Sequence, residues 1–233
     1  MRVYFIFFKI EYQINITIDL HIHTTISDGT YTPKELVDYA VKKKLSAIAI
    51  TDHDTMDGIQ EAADYIRENE LPLELIPGME VSTSSPISYF GIHILAYFID
   101  KNENEMATIL NSVHNNIKAN SIYTKDAITL ITKLGGIPVL AHPQEYGLSI
   151  DQLDKLLGEL ASYGLKGIEC IYPTHSDKYI EQIKKIALHH DLLITGGTDF
   201  HGSRKPGIDL GSGFGDMTIP YDIINSLKNI VII

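Results

Sequence analysis

The chain has 233 residues, 44% of them hydrophobic and 21% charged, an ordinary globular composition with enough length for one full core. A formal net charge of −11 argues against an extended nucleic-acid duplex as partner, which asks for a basic face, but not against a small anion held through metal ions. No run of about eighteen apolar residues occurs, so no membrane span is expected, and the lone Cys170 excludes an intrachain disulfide and fits a reducing, cytoplasmic setting.

Residues 1–8 are apolar with one Arg, and Lys9 and Glu11 interrupt them. The run is too short for a signal peptide and lacks a small-residue cleavage site, so residues 1–15 read as an N-terminal extension or edge strand. Residues 16–233 read as a single barrel domain. Residues 16–23 form an Ile-rich strand. Thr32-Pro33-Lys34-Glu35 starts a helix running to about Lys44, with Thr at the N-cap and Glu closing a capping box. A strand follows at 47–51, a helix at 55–69, and strands at 73–81 and 93–98. Residues 104–134 are largely helical in pattern. Then come a strand at 137–141, a helix at 150–163, a strand at 167–171, a helix at 177–190 and a strand at 192–196. Repeated β-then-α units imply a mainly parallel sheet in an α/β fold. Their number suits a closed barrel better than an open doubly wound sheet, which would expect glycines after the first strand where residues 19–27 have none.

The placement of histidines and carboxylates carries the chemistry. His21 and His23 stand two apart in Asp19-Leu20-His21-Ile22-His23, which on a strand puts both imidazoles on one face. Asp28 follows in Ser27-Asp28-Gly29. His53 lies in Thr51-Asp52-His53-Asp54, Glu80 ends Pro77-Gly78-Met79-Glu80, and His93 opens the fourth strand. His142 stands in Leu140-Ala141-His142-Pro143, and Asp199 and His201 stand two apart in Thr198-Asp199-Phe200-His201. Nearly all lie at or just beyond the C-terminal end of an expected strand, where parallel β/α folds put active sites. Imidazole with carboxylate suits Mn, Zn or Fe, and the lack of thiolates disfavours a structural cysteine-zinc site.

Taken in order, Asp19-Leu20-His21-Ile22-His23-Thr24, Ser27-Asp28-Gly29, Thr51-Asp52-His53-Asp54, Gly78-Met79-Glu80, Ala141-His142-Pro143 and Asp199-Phe200-His201-Gly202 resemble the motifs of the PHP (polymerase and histidinol phosphatase) superfamily. The resemblance covers roughly residues 16–211. It implies a distorted (β/α)7 barrel whose strand ends hold two or three divalent ions in a trinuclear site. Carried over residue by residue, it implies that His21, His23, Glu80 and Asp199 hold the first ion. Asp28, His53 and His201 would hold the second, and His93 and His142 the third, with Glu80 bridging to the first. The surrounding sequence looks most like the stand-alone phosphoesterases of the superfamily, which act on nucleoside 3′,5′-bisphosphates or on the 5′ ends of short RNA. Its histidinol phosphatases usually carry His where Asp28 stands, which disfavours that activity. The stand-alone enzymes also carry a helical insertion with an Arg-containing stretch that contacts substrate phosphate. Here the corresponding 101–134 segment is short and has no Arg, which puts a bisphosphate preference in doubt.

The expected activity is hydrolysis of a phosphomonoester of a small nucleotide or related metabolite. Water held between two divalent ions loses a proton near neutral pH to give hydroxide, and the ions neutralise phosphoryl charge. His175, in Tyr172-Pro173-Thr174-His175, is either a loop histidine or a group that touches phosphate or protonates the leaving group. Arg204 and Lys205 are either solvated cations or ligands of a distal phosphate. Glu169 is either a polar strand residue or the partner of a metal ligand. His114, His189 and His190 lie in helical runs and read as structural. Two rivals stand beside this reading. A nuclease trimming short RNA needs a groove with further aromatic or basic side chains, and a non-catalytic metal-binding module sits poorly with a full set of ligand positions. The oligomeric state is left open.

Overall fold

The computed structural model describes residues 17–85, 88–99 and 122–231. The expected extension at 1–15, most of the expected 101–134 insertion and His114 lie outside the described residues. In chain order the elements are β1 (Ile18–Asp19), α1 (Pro33–Lys42), β2 (Ala47–Ile50), α2 (Asp57–Glu68), β3 (Glu74–Ser85), β4 (Ser88–Tyr97), β5 (Ile122–Tyr123), α3 (Thr124–Lys133), β6 (Ile137–Leu140), α4 (Ile150–Tyr163), β7 (Gly167–Ile171), α5 (Asp177–His189), β8 (Leu193–Gly196) and α6 (Asp222–Val231). The main sheet runs β1-β2-β3-β4-β6-β7-β8, and β5 pairs with β3. Neighbours along that path are parallel except at β4, which is antiparallel to both β3 and β6.

The chain beyond β1 then meets the chain beyond β8. Ile22 bridges Phe200 in parallel, and the amides of Leu20 and His23 donate to the carbonyls of Gly196 and Phe200 at 3.3 and 2.9 Å. This seam curls the sheet into the expected distorted (β/α)7 barrel, with β4 as the distortion.

Two strands are longer than their sequence patterns suggest. β3 continues to Ser85 and β4 begins at Ser88, so the two form a hairpin in which Ser82 faces His93. Serine has weak strand propensity, and cross-strand pairing rather than pattern holds this stretch extended. Gly91 permits it: with φ of 85° and a would-be Cβ only 2.2 Å from the Thr83 carbonyl oxygen, the position admits no side chain. Because β4 is reversed, its early residues lie at the end of the barrel where the other strands finish, which is how His93 reaches that end.

Two helices begin at capping boxes. Thr32 accepts from the Glu35 amide and Glu35 closes the capping box, so α1 starts where expected and ends at Lys42. Ser149 and Gln152 do the same for α4. Inside the barrel, Ile18, Leu20, Ala47, Ala49, Ile76, Leu95, Tyr97, Ile137 and Val139 pack with Ile223, Ile224 and Leu227 of α6. That helix, absent from the expected elements, docks on the strands' starting side, where Ile18 donates to the Ile219 carbonyl at 3.0 Å. Among the described residues no helix is long and apolar enough to cross a membrane.

A candidate metal centre at the strand ends

Glu80, only 1% exposed, is the hub of a buried cluster. Its Oε2 lies 3.3 Å from His21 Nε2, 3.2 Å from His23 Nε2 and 3.3 Å from His53 Nδ1. Its Oε1 lies 2.9 Å from His93 Nδ1 and 3.0 Å from His142 Nε2. Asp199 Oδ1 stands 3.6 Å from His21 Nε2, 3.3 Å from His23 Nε2 and 3.2 Å from His201 Nδ1. Asp28 Oδ1 stands 3.2 Å from His201 Nε2 and 4.0 Å from His53 Nε2. The fold therefore brings together, at one end of the barrel, every histidine and carboxylate picked out from the motifs. Ligand atoms of His23, Asp28, His53 and His201, of His21, His23 and Glu80, and of His53, Glu80 and His93 lie within 4.8 Å of one another in each group.

The donor set fits divalent cations. His21 Nδ1 donates to Glu169 at 3.1 Å, so in the neutral imidazole the Nε2 lone pair faces Glu80 and Asp199. His201 Nδ1 donates to the Asp199 carbonyl at 2.8 Å, which turns its Nε2 lone pair towards Asp28. Lone pairs aimed at carboxylates repel unless a proton or a cation stands between them. His21 Nε2, His23 Nε2 and His53 Nδ1 are buried yet without a hydrogen-bond partner, although carboxylate oxygens lie within 3.3 Å of each. Such contacts are short but poorly aligned, as expected of atoms that converge on a common point rather than on one another.

The opposed charges of the cluster shift one another's titration. Burial opposes charge on His21, but Glu169, Asp199 and Glu80 outweigh it and raise the imidazole well above its ordinary range. His23 is raised to about 9 against the same burial by Asp199 and Glu80. Burial would raise the Glu80 carboxyl, yet His21, His142 and His23 hold it well below the usual range. Burial lowers His53 and His201.

A second layer fixes this arrangement. Glu169, fully buried on β7, also accepts from the His142 amide at 2.8 Å, so it stands behind two of the cluster's histidines. His142 and Asp199 have φ of 24° and 53°, backbone that a non-glycine residue adopts at a cost of about 1–3 kcal/mol. The Glu169 contact helps hold the first of these. Tyr172, Glu145 and Tyr146 went unrecognised in the sequence. The Tyr172 hydroxyl lies 2.7 Å from Glu145 Oε1 and 2.9 Å from Asp199 Oδ2, and the Tyr146 hydroxyl accepts from the His93 amide at 3.0 Å. A tyrosine after a strand carries no spacing signal; only the Glu145 position, three beyond His142, lies close enough in sequence to have suggested itself.

The remaining candidates are placed differently. Lys205 pairs with Asp199 Oδ2 at the edge of the cluster. Arg204 is exposed in the short turn Gly202–Arg204. His175 sits one ring further out: its centroid is 5.1 Å from that of Tyr172, which is 5.8 Å from His142. It is buried, donates from Nδ1 to the Cys170 carbonyl at 2.9 Å, and lines a cavity of about 350 Å³ with Asp177, Lys184 and Met217.

Comparison with known proteins agrees with this geometry. The PHP domain family matches residues 19–191. The chain is 29% identical over 259 positions to the 5′-3′ exoribonuclease Rnm of Escherichia coli, covering 83% of this chain and 87% of that protein. It is 26% identical over 264 positions to the 3′,5′-nucleoside bisphosphate phosphatase of Chromobacterium violaceum, covering 83% and 90%. A crystal structure from Bifidobacterium adolescentis, assigned as a metal-dependent phosphoesterase, superposes with a TM-score of 0.74 at 26% identity, over 91% of this chain and 96% of the other.

Proposed function

This chain belongs to the PHP domain family, and from that premise we propose that it is a metal-dependent phosphoesterase acting on a phosphomonoester of a small nucleotide or related metabolite. The observation that carries the reading is the orientation of two histidines. Glu169 and the Asp199 carbonyl take Nδ1 of His21 and His201, which turns Nε2 of each towards a carboxylate, an arrangement suited to cations. His21, His23, Glu80 and Asp199 would hold one ion, Asp28, His53 and His201 a second, and His93 and His142 a third shared through Glu80. Mn, Zn and Fe all suit such ligands. Divalent ions there would acidify water and neutralise phosphoryl charge.

The chain's own groups do the rest. Lys205, beside Asp199, would take a phosphoryl oxygen, and Arg204 would reach a more distal anion. His175 is held below its ordinary range by burial, which favours accepting a hydrogen bond from substrate over protonating a leaving group. Its place behind Tyr172 points the same way.

Relatives named as exoribonucleases keep a second reading in view, trimming of short RNA from its 5′ end. Length does not separate the two readings. The alignments to relatives run over 259 and 264 positions while taking in 83% of 233 residues, so those proteins carry stretches this chain lacks. A hydrolysis screen over nucleotides, bisphosphates, sugar phosphates and short 5′-phosphorylated RNA, with Mn and after chelation, tests both. Release of phosphate from small esters, abolished by chelation, is expected. Mononucleotide release from RNA alone supports the second reading, and inertness of the Mn-loaded protein towards every ester sinks both.

A further inference from the structure

Away from the barrel mouth, Asp154 on α4 faces His189 and His190 at the end of α5. His190 Nε2 lies 2.7 Å and His189 Nδ1 3.5 Å from Asp154 Oδ1, and the two ring centroids are 4.6 Å apart. One ligand atom from each of the three residues lies within 4.8 Å of the others. Ligands at about 2.0–2.1 Å from a tetrahedral ion stand roughly 3.3 Å from one another. The His189 contact already has that spacing, and His190 needs to withdraw only slightly.

Three independent features favour a cation here. Asp154 pairs with these two imidazoles, neither of which carries the permanent charge of a Lys or Arg. His190 is the C-cap of α5, where helix carbonyls present partial negative charge. Finally, Gly158 lies inside α4 directly beneath His190: a Cβ there would stand 3.1 Å from His190 Cε1. Glycine inside a helix costs about 1 kcal/mol relative to alanine, so helix stability is given up where the imidazole rests. His190 is thereby seated, with its side chain 18% exposed, while His189 is 71% exposed and reaches in from solvent. Water can complete the shell.

We propose that Asp154, His189 and His190 form a second divalent-metal site, separate from the barrel-mouth centre and linking α4 to α5. Two imidazoles with one carboxylate select a borderline ion such as Zn or Ni over Mg or Ca. The test is equilibrium dialysis of the untagged full-length protein against rising zinc, beside His189→Ala and Asp154→Asn. Both variants keep the barrel-mouth centre, so any difference in bound zinc belongs to this site. The wild type is expected to bind one equivalent more than either variant at micromolar zinc, and to gain more thermal stability in that range than the variants do. Hydrolytic activity should match in all three, and the exposure of His189 keeps folding out of the comparison. Equal zinc counts overturn the proposal, and so does an extra equivalent that fills only at millimolar zinc, where scattered surface imidazoles bind as well.

Discussion

Glu80 divides its two oxygens between different sets of imidazoles: Oε2 faces His21, His23 and His53, and Oε1 faces His93 and His142. Removing it should disturb every part of the centre, whereas removing half-buried His93 takes one ligand from one edge. We expect Glu80→Ala to lower kcat more than His93→Ala at matched metal occupancy; equal residual rates would count against Glu80 as a shared ligand. Glu169 acts a step further back, through His21 and the His142 amide. Glu169→Gln keeps the shape but can present an NH2 to His21 Nδ1 and loosen the tautomer. Partners of this kind are worth about 10- to 100-fold in metal affinity. Chelator competition should show a loss in that range, and unchanged affinity would reduce Glu169 to a packing role. The clustering of these side chains was readable from sequence because histidines two apart and acids at strand ends carry spacing. Tyr172 and Glu145 were not, because their contacts with the cluster are made by the fold and not by the local pattern.

Among the elements, the seam between the ends of β1 and β8 matters most, because it aligns His21 and His23 with Asp199 and His201. Gly197 sits in that seam, and a Cβ there would lie 2.2 Å from His21 Cβ and 2.6 Å from its amide nitrogen. No side chain can turn away to relieve this, so Gly197→Ala must part the strands. Destabilisation of at least about 1–3 kcal/mol is expected from such overpacking, read as a lower denaturation midpoint, together with loss of metal. An alanine variant of wild-type stability would mean the seam is looser than drawn. Most of the alternation of strand and helix was legible, down to the Thr32 capping box, because apolar periodicity and caps are local signals. The reversal of β4 was not, since a short strand run reads the same in either direction and only pairing to β3 and β6 sets its sense. Helix α6 was missed although Ile223, Ile224 and Leu227 face one way; standing alone after the last strand, it was not needed to complete a β/α unit.

At the scale of the whole molecule the question is how much substrate the protein can grip. A chain of net charge −11 can still draw in a phosphate, because divalent ions held at the strand ends would invert the local field. Beyond those ions its cationic contacts near the cluster are few. Lys205 is engaged with Asp199, and Arg204 is exposed on a turn. The alignments to relatives hold stretches with no counterpart within this sequence, and the 101–134 segment contains no arginine. Fewer fixed contacts leave less binding energy to spend on any one transition state. We therefore expect broad, modest phosphomonoesterase activity without a marked preference for a second phosphate. The measurement is kcat/KM for a nucleoside 3′,5′-bisphosphate against that for the matching monophosphate, under one metal condition. The ratio should stay within about tenfold. A ratio above about one hundred, equivalent to roughly 2.7 kcal/mol of additional transition-state binding, would require a dedicated second phosphate site. That result would overturn the argument from sparse cationic contacts while leaving the proposed metal centre untouched.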